Sequence, residues 1–371
     1  MKPLEGIRVV ELARILAGPW CGQLLADLGA EVIKIERPGT GDDTRHWGPP
    51  FLHDAEGNSL DAAYFHSTNR GKSARFIDIA TPAGQAEVRA LAAEADVVIE
   101  NYKVGGLVKY GLDSASLRAA NPRLIVASIT GFGQTGPYAH RAGYDFIIQG
   151  MGGFMSLTGE PDGAPQKAGI AYADIFTGTY TAVAVLAALR RRDVTGEGAH
   201  IDMALLDTQV AVLANQALNW MASGTVPHRM GNGHANLVPY QAFACADGEL
   251  IVAVGNDSQF RRLCAVLELG LGEDPRFATN PGRVENRAAL IPLLAAAIGS
   301  WEKAALYERL EAAGVPAGPI NRVDEVFADP QVQARGMRIA PGGLPGVASP
   351  IVIDGVRMTN GRPSPPRPAN D

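Results

Sequence analysis

The clearest opportunity for covalent chemistry is Asp174, which stands in the segment AYADIFTG immediately before a predicted apolar helix. A carboxylate can attack an acyl group and divide one difficult exchange into two easier steps. The structural alternative is that Asp174 only caps the helix. The two roles are compatible, because the helix dipole and free N–H groups favour the charged form of a carboxylate. We therefore expect an ionised Asp174 at the N-cap position.

Positive charges stand at or after the ends of predicted strands, where parallel sheets collect their ligands. Arg37 follows the strand EVIKIE, Lys72 lies in NRGKS, and Lys109 follows the pair Asn101 and Tyr102. Cations in such places favour a ligand with several phosphates. The alternative for each of them is a solvated surface side chain.

A glycine-rich stretch, Gly231, Asn232, Gly233 and His234, suits either a mobile lid over a ligand or an ordinary linker. Motifs for other chemistries find no support at the expected places. The first strand–helix turn, ELARILAGP, is not the GxGxxG fingerprint of a dinucleotide site, and the sequence contains no P-loop and no GxSxG, which disfavours nicotinamide, nucleoside triphosphate and serine hydrolase chemistry. The seven histidines are scattered, so we expect no metal site.

The composition is that of a globular protein of about two domains, with 371 residues and 46% hydrophobic side chains. A net charge of −6 without a basic tail disfavours nucleic acid as a partner. Three widely spaced cysteines indicate reduced thiols, and the N-terminus lacks the layout of a signal peptide, so we expect a cytoplasmic protein. The apolar run 175–189 is shorter than the ~20 residues of a membrane span and predicts a buried core helix.

Strands and helices alternate along the first part of the chain, which predicts a doubly wound α/β domain with a parallel sheet. We place this large domain at residues 1–223, with one helix over about 205–223. A smaller α/β domain, residues 224–320, begins with a linker and a hairpin around residues 246–248. Residues 321–371 form a C-terminal segment whose tail, RPSPPRPAND, we expect to be flexible.

The ordered succession of motifs resembles the class III CoA-transferases, the family of formyl-CoA transferase and the carnitine CoA-transferases. The similarity covers nearly the whole chain. The motifs on which this resemblance rests are GIRVVELARILAGPWCGQLLADLGAEVIKIERPGTGDDTR, TNRGKS, ADVVIENYKVGGL, NPRLIVASITGFGQTGP, RAGYDFIIQGMGG, TGEGAHIDMALLD, DPRFATNPGRVENR and GVPAGPINRVDEVFADPQ. The resemblance implies a Rossmann-like large domain that uses both ends of the chain, a small domain, and an interlocked, ring-like homodimer. The family's usual Gly-Glu-His-Thr segment and final helix are missing.

The resemblance also implies roles for individual residues, with Asp174 as the catalytic aspartate and residues 231–234 as a glycine loop over the active site. The residues implied to contact CoA are Ile15, Leu16, Ala17, Arg37, Lys72, Asn101, Tyr102, Lys109, Tyr110, Tyr144 and Asp145. Leu16 replaces a glutamine of formyl-CoA transferase, which argues against a formyl or oxalyl specialist. Lys109 replaces an arginine, which keeps the charge and loses the planar fork.

The implied reaction moves CoA from an acyl-CoA to a carboxylic acid through an aspartyl mixed anhydride and an aspartyl-CoA thioester. CoA enters as a substrate, and no permanent cofactor or metal is expected. Oxyanion donors are expected from the 231–234 loop or from the turn near Ala17. Within the family, GNGHANLVPYQAF favours succinyl-CoA and dicarboxylates, whose far end would need a cation from Arg14, Arg45 or His234.

The alternative enzyme of this fold is an α-methylacyl-CoA racemase. A racemase of this kind has a His-Asp dipeptide where this chain has Tyr144 and Asp145. A phenol is a poor base near neutral pH, so transfer is favoured over racemisation. A non-catalytic CoA-binding protein is disfavoured by the intact Asp174.

Overall fold

The computed structural model describes residues 2–54 and 57–367. Over these residues the strands are β1 (Arg8–Glu11), β2 (Glu31–Glu36), β3 (Phe51–His53), β4 (Ser59–Ala62), β5 (Ser73–Phe76), β6 (Val97–Glu100), β7 (Ile125–Thr130), β8 (Ala199–Ala204), β9 (Tyr240–Cys245), β10 (Gly248–Ala253), β11 (Ala317–Pro319), β12 (Arg338–Ile339), β13 (Gly346–Val347), β14 (Val352–Ile353) and β15 (Val356–Arg357).

The helices of the described residues are α1 (Ala17–Asp27), α2 (Ala63–His66), α3 (Pro82–Ala93), α4 (Ser114–Ala120), α5 (Asp145–Met151), α6 (Phe154–Leu157), α7 (Tyr172–Thr195), α8 (Leu205–Ala211), α9 (Ala214–Ser223), α10 (Asp257–Val266), α11 (Asn280–Glu285), α12 (Arg287–Ile298), α13 (Lys303–Ala312), α14 (Val323–Ala328) and α15 (Pro330–Ala334). Short 3₁₀ turns at Asp43–His46 and Val108–Tyr110 follow β2 and β6.

The chain divides into two compact units. The larger contains residues up to 154, 167–224 and from 329 onward, and the smaller contains 155–166 and 225–328. Residues 155–166, predicted to lie in the large domain, and residues 321–328, predicted to belong to the C-terminal segment, therefore belong with the smaller unit. The predicted helix over 205–223 is two helices, because Ala214 takes a left-handed φ of 46° at the break between α8 and α9.

A six-stranded sheet forms the centre of the larger unit, in the order β5–β2–β1–β6–β7–β8. Every neighbouring pair in it is parallel. This confirms the predicted α/β class with a parallel central sheet. The carboxyl ends of β1, β2, β6 and β7 lead into the segments that carry most of the predicted site residues.

Helices cover both faces of this sheet, which explains why its inner strands are almost continuously apolar. Successive side chains of a strand point to opposite faces. Val9 of β1 packs in the core cluster of α1 and α7, while Val10 packs in the cluster of α3 and α4. Both valines are at most 2% exposed.

Helix α7 is the 24-residue helix that follows the predicted nucleophile segment, and it ends at Gly196 with a left-handed φ of 77°. Among the described helices it is the single continuous one whose length and composition would allow it to cross a membrane. Ala182, Val185 and Leu189 nevertheless pack in the core of the larger unit. The prediction of a buried core helix over 175–189 is therefore confirmed for the face that carries these residues, whereas the opposite face is exposed, with Val183 58% exposed.

The smaller unit contains a three-stranded antiparallel sheet in the order β11–β10–β9. The turn between β9 and β10 pairs Gly248 with Cys245, which confirms the predicted hairpin. Phe243, Leu250, Phe260 and Leu290 are at most 3% exposed and belong to one separate core.

The C-terminal tail was predicted to be flexible, and residues 368–371 of it lie outside the described residues. For residues 362–367 the prediction is wrong. The Arg362 guanidinium donates to the carbonyl of Gly71 at 2.6 Å, and Arg367 pairs with Asp61 at 2.5 Å. These contacts hold the segment on the larger unit.

Candidate active site

Asp174 lines a cavity of about 440 Å³ in the larger unit. It is the third residue of α7, and Ala171 occupies the N-cap position. The prediction that Asp174 caps this helix is therefore wrong, because Asp174 lies three residues after the N-cap position. Its side chain is half-buried, and the N–H groups of the second and third residues of the helix donate to another carboxylate.

Asp145 provides the cap instead. Its Oδ1 accepts hydrogen bonds from the backbone N–H of Ala173 at 2.8 Å and of Asp174 at 3.3 Å. Its Oδ2 accepts from Nε2 of Gln149 at 2.7 Å. The sequence analysis placed Asp145 beside Tyr144 as a CoA contact, but this carboxylate is engaged by α7, and only Tyr144 lines the cavity.

Burial, and after it the negative charge of Asp145, raise the pKa of Asp174 from 3.8 to about 7. The expectation that the helix start keeps Asp174 ionised is wrong, because Asp145 already takes the stabilising N–H groups. Near neutral pH the free protein therefore holds comparable amounts of the carboxylate and the carboxylic acid. Burial and the charge of Asp174 also raise the pKa of Tyr64 to about 12, so that this phenol stays protonated.

The turn between β1 and α1 forms one wall of the cavity, through Arg14, Ile15, Leu16 and Ala17. Ile15 has a left-handed φ of 74°, which is unfavourable for a β-branched residue. Its N–H points to the buried carboxylate of Asp42, with distances of 3.3 and 3.4 Å to the two oxygens.

Helix α1 begins at Ala17 without any side-chain cap, and its third residue is Pro19. The N–H groups of Ala17 and Gly18 have no partner within the helix. A Cβ on Gly178 of α7 would lie 2.4 Å from the carbonyl oxygen of Ala17, so only glycine permits this close approach. The start of α1 is thus packed one turn beyond Asp174.

Four cations line the cavity with Asp174: Arg14, Lys103, Lys109 and Arg141. Three tyrosines, Tyr102, Tyr110 and Tyr144, line it as well. Lys109 Nζ lies 4.7 Å from the Tyr110 ring centre. The sequence analysis missed Lys103 and Arg141, although Lys103 follows Tyr102 and Arg141 begins the quoted motif RAGYD.

Arg37 is exposed and lines a second, smaller cavity of about 190 Å³. Arg14, Tyr102 and Tyr110 line both cavities, which therefore adjoin. Asn101 also lines the larger cavity, but its side-chain amide is occupied by the backbone of Arg14, with Oδ1 accepting at 3.0 Å and Nδ2 donating at 2.7 Å.

Lys72 does not line either cavity. It is 3% exposed, and its ammonium lies 2.8 Å from Oε2 of Glu11, and 2.9 Å from the Pro19 carbonyl and the Asn69 side chain. Burial lowers its pKa to about 8, against the attraction of Glu11. A side chain held in this way is not free to bind a phosphate, which disfavours the predicted CoA contact of Lys72.

Arg45 is likewise unable to serve as a cation for a second carboxylate. It is fully buried, pairs with Glu36 at 2.6 Å, and also pairs with Asp61. Of the three cations proposed from the sequence for this purpose, Arg14 is the one that lines the cavity with Asp174.

The glycine loop, residues 231–234, lies in the smaller unit and is held by that unit's own contacts. The N–H groups of Gly231, Gly233 and His234 donate to the carbonyls of Gly159, Met230 and Tyr240 at 2.9–3.0 Å. They are thus not free to serve as oxyanion donors. Nδ1 of His234 accepts from the backbone N–H groups of Asn236 and Leu237 at 3.0 and 3.2 Å, so this ring nitrogen is already engaged within the smaller unit.

Comparison with known proteins gives consistent matches over the whole chain. A model of CoA-transferase family III matches residues 4–370. The chain is 58% identical over 369 residues to a succinate–glutarate CoA-transferase of Agrobacterium fabrum, covering 98% of this chain and 92% of that one. It is 44% identical over 338 residues to a succinyl-CoA:glutarate CoA-transferase of Mus musculus, covering 91% and 76%.

A crystal structure of a CAIB/BAIF family protein from Brucella suis superimposes with a TM-score of 0.87 and 59% sequence identity, covering 98% of this chain and 96% of that one.

Proposed function

Because this chain belongs to CoA-transferase family III, we propose that it moves CoA from succinyl-CoA to a second dicarboxylic acid, with Asp174 as the nucleophile. The membership confirms the family and the enzyme class predicted from the motifs. The observation that carries the mechanism is a carboxyl with a pKa near 7 in a cavity lined by four cations.

The proposed exchange begins when the Asp174 carboxylate attacks the thioester carbonyl. The C–S bond breaks, CoA leaves as a thiolate, and a mixed anhydride remains on Asp174. The thiolate then attacks the aspartyl carbonyl, which releases succinate and forms an aspartyl-CoA thioester. The acceptor acid attacks this thioester and reverses the two steps, so that atoms and charges balance without any redox partner.

The phosphates of CoA carry several negative charges, and the cations of the two adjoining cavities suit them. Lys103, Lys109 and Arg141 line the wall of the larger cavity, and Arg37 lies in the smaller one. Tyr102 and Tyr110, which line both, provide flat apolar surfaces between the charges. Lys72 is left out of this set because its ammonium is buried.

The oxyanion of each tetrahedral intermediate needs preorganised donors. We assign this role to the first N–H groups of α1, at Ala17 and Gly18, since the N–H groups of Gly231, Gly233 and His234 are already bonded. The dipole of α1 adds positive potential at the same place.

The choice of dicarboxylates rests on the relatives named for succinate, succinyl-CoA and glutarate. Arg14 is the candidate for the far carboxylate, because it lines the cavity and its one ion pair within residues 2–54 and 57–367, with Asp43, is exposed to solvent. A cytoplasmic homodimer completes the proposal. Apolar side chains left uncovered on α7, such as Tyr180 and Val183, support a second copy as the partner.

The test is to mix the protein with succinyl-CoA and a panel of C4–C6 dicarboxylates and to identify the CoA esters formed. Hydroxylamine should trap an aspartyl hydroxamate at Asp174, located by peptide mass spectrometry. Asp174→Ala and Asp174→Asn should fold and give neither product. Full transfer by either variant would refute the assignment. Deuterium incorporation α to the thioester without any acceptor would instead support the racemase.

A further inference from the structure

We propose that the buried pair of Asp42 and Lys34 holds Ile15 in its left-handed conformation and thereby positions the start of α1 over the reaction at Asp174. Asp42 and Lys34 would then be positioning residues, since neither lines the cavity. The inference rests on the proposed function and gives a role to charges that the mechanism leaves unused.

The feature to be explained is the backbone of Ile15. Its φ of 74° lies in the region that glycine enters freely and that branched side chains avoid. Such conformations persist only where the surroundings enforce them, and they concentrate at functional sites. Ile15 stands two residues before the first residue of α1, so its φ fixes the direction in which that helix begins.

The surroundings of this turn consist of side chains that bind its main chain. Asp42 accepts from the N–H of Ile15, and Lys34 donates to the carbonyl of Ala13 at 2.8 Å. Asn101 binds both the N–H and the carbonyl of Arg14. The main chain of three consecutive residues is thus held by side chains from other segments.

Asp42 and Lys34 also fix each other. Their side chains are fully buried, and Nζ of Lys34 lies 2.9 Å from Oδ2 of Asp42 and 3.0 Å from Oε1 of Glu11. The N–H and hydroxyl of Thr44 donate to Oδ1 of Asp42 at 3.0 and 2.8 Å. Burial would raise the pKa of Asp42, but Lys34 and Thr44 outweigh it and keep the pKa below its ordinary value.

A buried ion pair adds little to the stability of a fold, because desolvation of the two charges offsets their attraction and apolar side chains of similar volume often stabilise as well. A charged pair gives direction instead. A carboxylate can only accept and an ammonium can only donate, so the pair admits one orientation of the peptides at Ala13 and Ile15. Without it, Ile15 would relax to a negative φ and turn the N–H groups of Ala17 and Gly18 away.

The experiment is a double-mutant cycle between Asp42→Asn and Ile15→Gly, with kcat and KM measured for succinyl-CoA and glutarate. In Asp42→Asn the oxygen on Thr44 can remain, at 3.4 Å from the N–H of Ile15, while an amide NH2 that cannot accept replaces the oxygen that binds Lys34 and lies 3.3 Å from Ile15. We expect kcat to fall by about 10–100-fold, less than the roughly 10²–10³-fold cost of removing an oxyanion donor outright, and KM for succinyl-CoA to change by less than about threefold. Lys34→Met should act in the same direction.

Glycine adopts the left-handed conformation without enforcement, so the effect of Asp42→Asn should shrink to less than about fivefold in the I15G background. Asp27→Asn is the matched control, because Asp27 is a buried carboxylate paired with Arg70 that does not touch the turn. Its effect should be the same in both backgrounds. Thermal unfolding of every variant separates loss of positioning from loss of fold.

Independent, multiplying effects of Asp42→Asn and Ile15→Gly on kcat would overturn the inference, as would a loss confined to thermal stability. If Asp42→Asn does not fold, a double-mutant cycle between Lys34→Met and Ile15→Gly replaces it, and independent, multiplying effects on kcat would again overturn the inference. Wild-type protein that transfers CoA while the cycle shows no coupling refutes this inference alone. Wild-type protein that transfers no CoA refutes it together with the proposed function.

Discussion

The carboxylate of Asp145 accepts a hydrogen bond from the backbone N–H of Asp174 and so caps the helix on which Asp174 lies. The carboxylate of Asp145 thereby binds the N–H groups at the start of α7. The carboxyl of Asp174 is instead buried near the negative charge of Asp145. Two acids in sequence positions that look equally suited to a helix start are given opposite tendencies to ionise.

The rate should therefore depend on pH through Asp174. Its pKa in the free protein is about 7, and the nucleophile is the ionised form, so kcat/KM for succinyl-CoA should rise as pH increases through 7 and then level off. Asp145→Asn removes the neighbouring charge and should move this rise to lower pH. The measurement is a kcat/KM profile between pH 5 and 9. An unmoved profile in Asp145→Asn, with the exposed Asp162→Asn as the charge-matched control, would contradict the coupling.

Stability should respond to pH in the opposite direction. The folded pKa of Asp174 is raised above the unfolded value of 3.8, so the folded state binds this proton more tightly. The resulting stabilisation is complete below about pH 4 and is lost as pH rises through 7. Asp174→Asn resembles the protonated form at every pH, so its gain over wild type should grow from about zero at pH 4 to about 1–3 kcal/mol at pH 8.

Urea unfolding of wild type and Asp174→Asn at pH 5 and pH 8 measures this difference. The exposed Asp162→Asn makes the same change in net charge without touching the cavity. A gain for Asp174→Asn that is equal at both pH values would rule out the raised pKa as its cause.

The sequence was sufficient for the parts of the site that depend on strand order and motif. Arg37 and Lys109 were placed from the ends of β2 and β6, because parallel strands present their carboxyl ends on one edge. The nucleophile segment was found as the start of a long apolar helix, now α7. These inferences use only local pattern and the direction of the chain.

What the sequence could not supply is which charges meet inside the fold. Lys72 and Arg45 look like surface cations, and their partners Glu11 and Asp61 are 61 and 16 residues away. The capping of α7 by Asp145 likewise crosses 28 residues. Pairings of this kind are determined by tertiary packing, and the periodicity of the sequence does not predict them.

Lys72 accordingly should affect folding and not CoA binding. Lys72→Met leaves Glu11 buried with Lys34 as its one remaining ion-pair partner among the described residues. Removing one partner of a buried pair typically costs about 3–5 kcal/mol. We expect that loss in the free energy of unfolding, with KM for succinyl-CoA changed by less than about threefold in the folded fraction.

The double variant Glu11→Gln/Lys72→Met should recover part of the lost stability, because it removes the uncompensated charge. Normal stability of Lys72→Met combined with a large increase in KM would restore the original interpretation of Lys72 as a phosphate contact.

Arg141 and Lys109 should discriminate between substrates with and without phosphates. Arg141→Gln or Lys109→Gln should raise KM for succinyl-CoA by about tenfold, since a charge-assisted contact is worth somewhat more than 1 kcal/mol. The same variants should use succinyl-pantetheine, which has no phosphates, as well as wild type does. An equal loss with both substrates would place these cations at the acyl end of the cavity.

One face of α7 leaves apolar side chains exposed, and this predicts that the protein assembles with a second copy. Phe176, Tyr180 and Val183 recur at helical spacing on this face, and Val183 is 58% exposed. On α9 of the same unit, Leu218 and Met221 are more than 60% exposed. Monomeric proteins rarely leave contiguous apolar patches of this kind in water, so a second copy of the chain is the occupant we propose.

A charge placed in the centre of such a face would be buried without a partner in the assembly, while in the monomer it would remain in solvent. Val183→Glu should therefore shift the mass measured by light scattering at micromolar concentration from dimer to monomer. Val194→Glu, at the other end of α7 and also exposed, is the matched control. A dimer that survives Val183→Glu would assign the contact to another surface, and a wild-type monomer would refute the assembly.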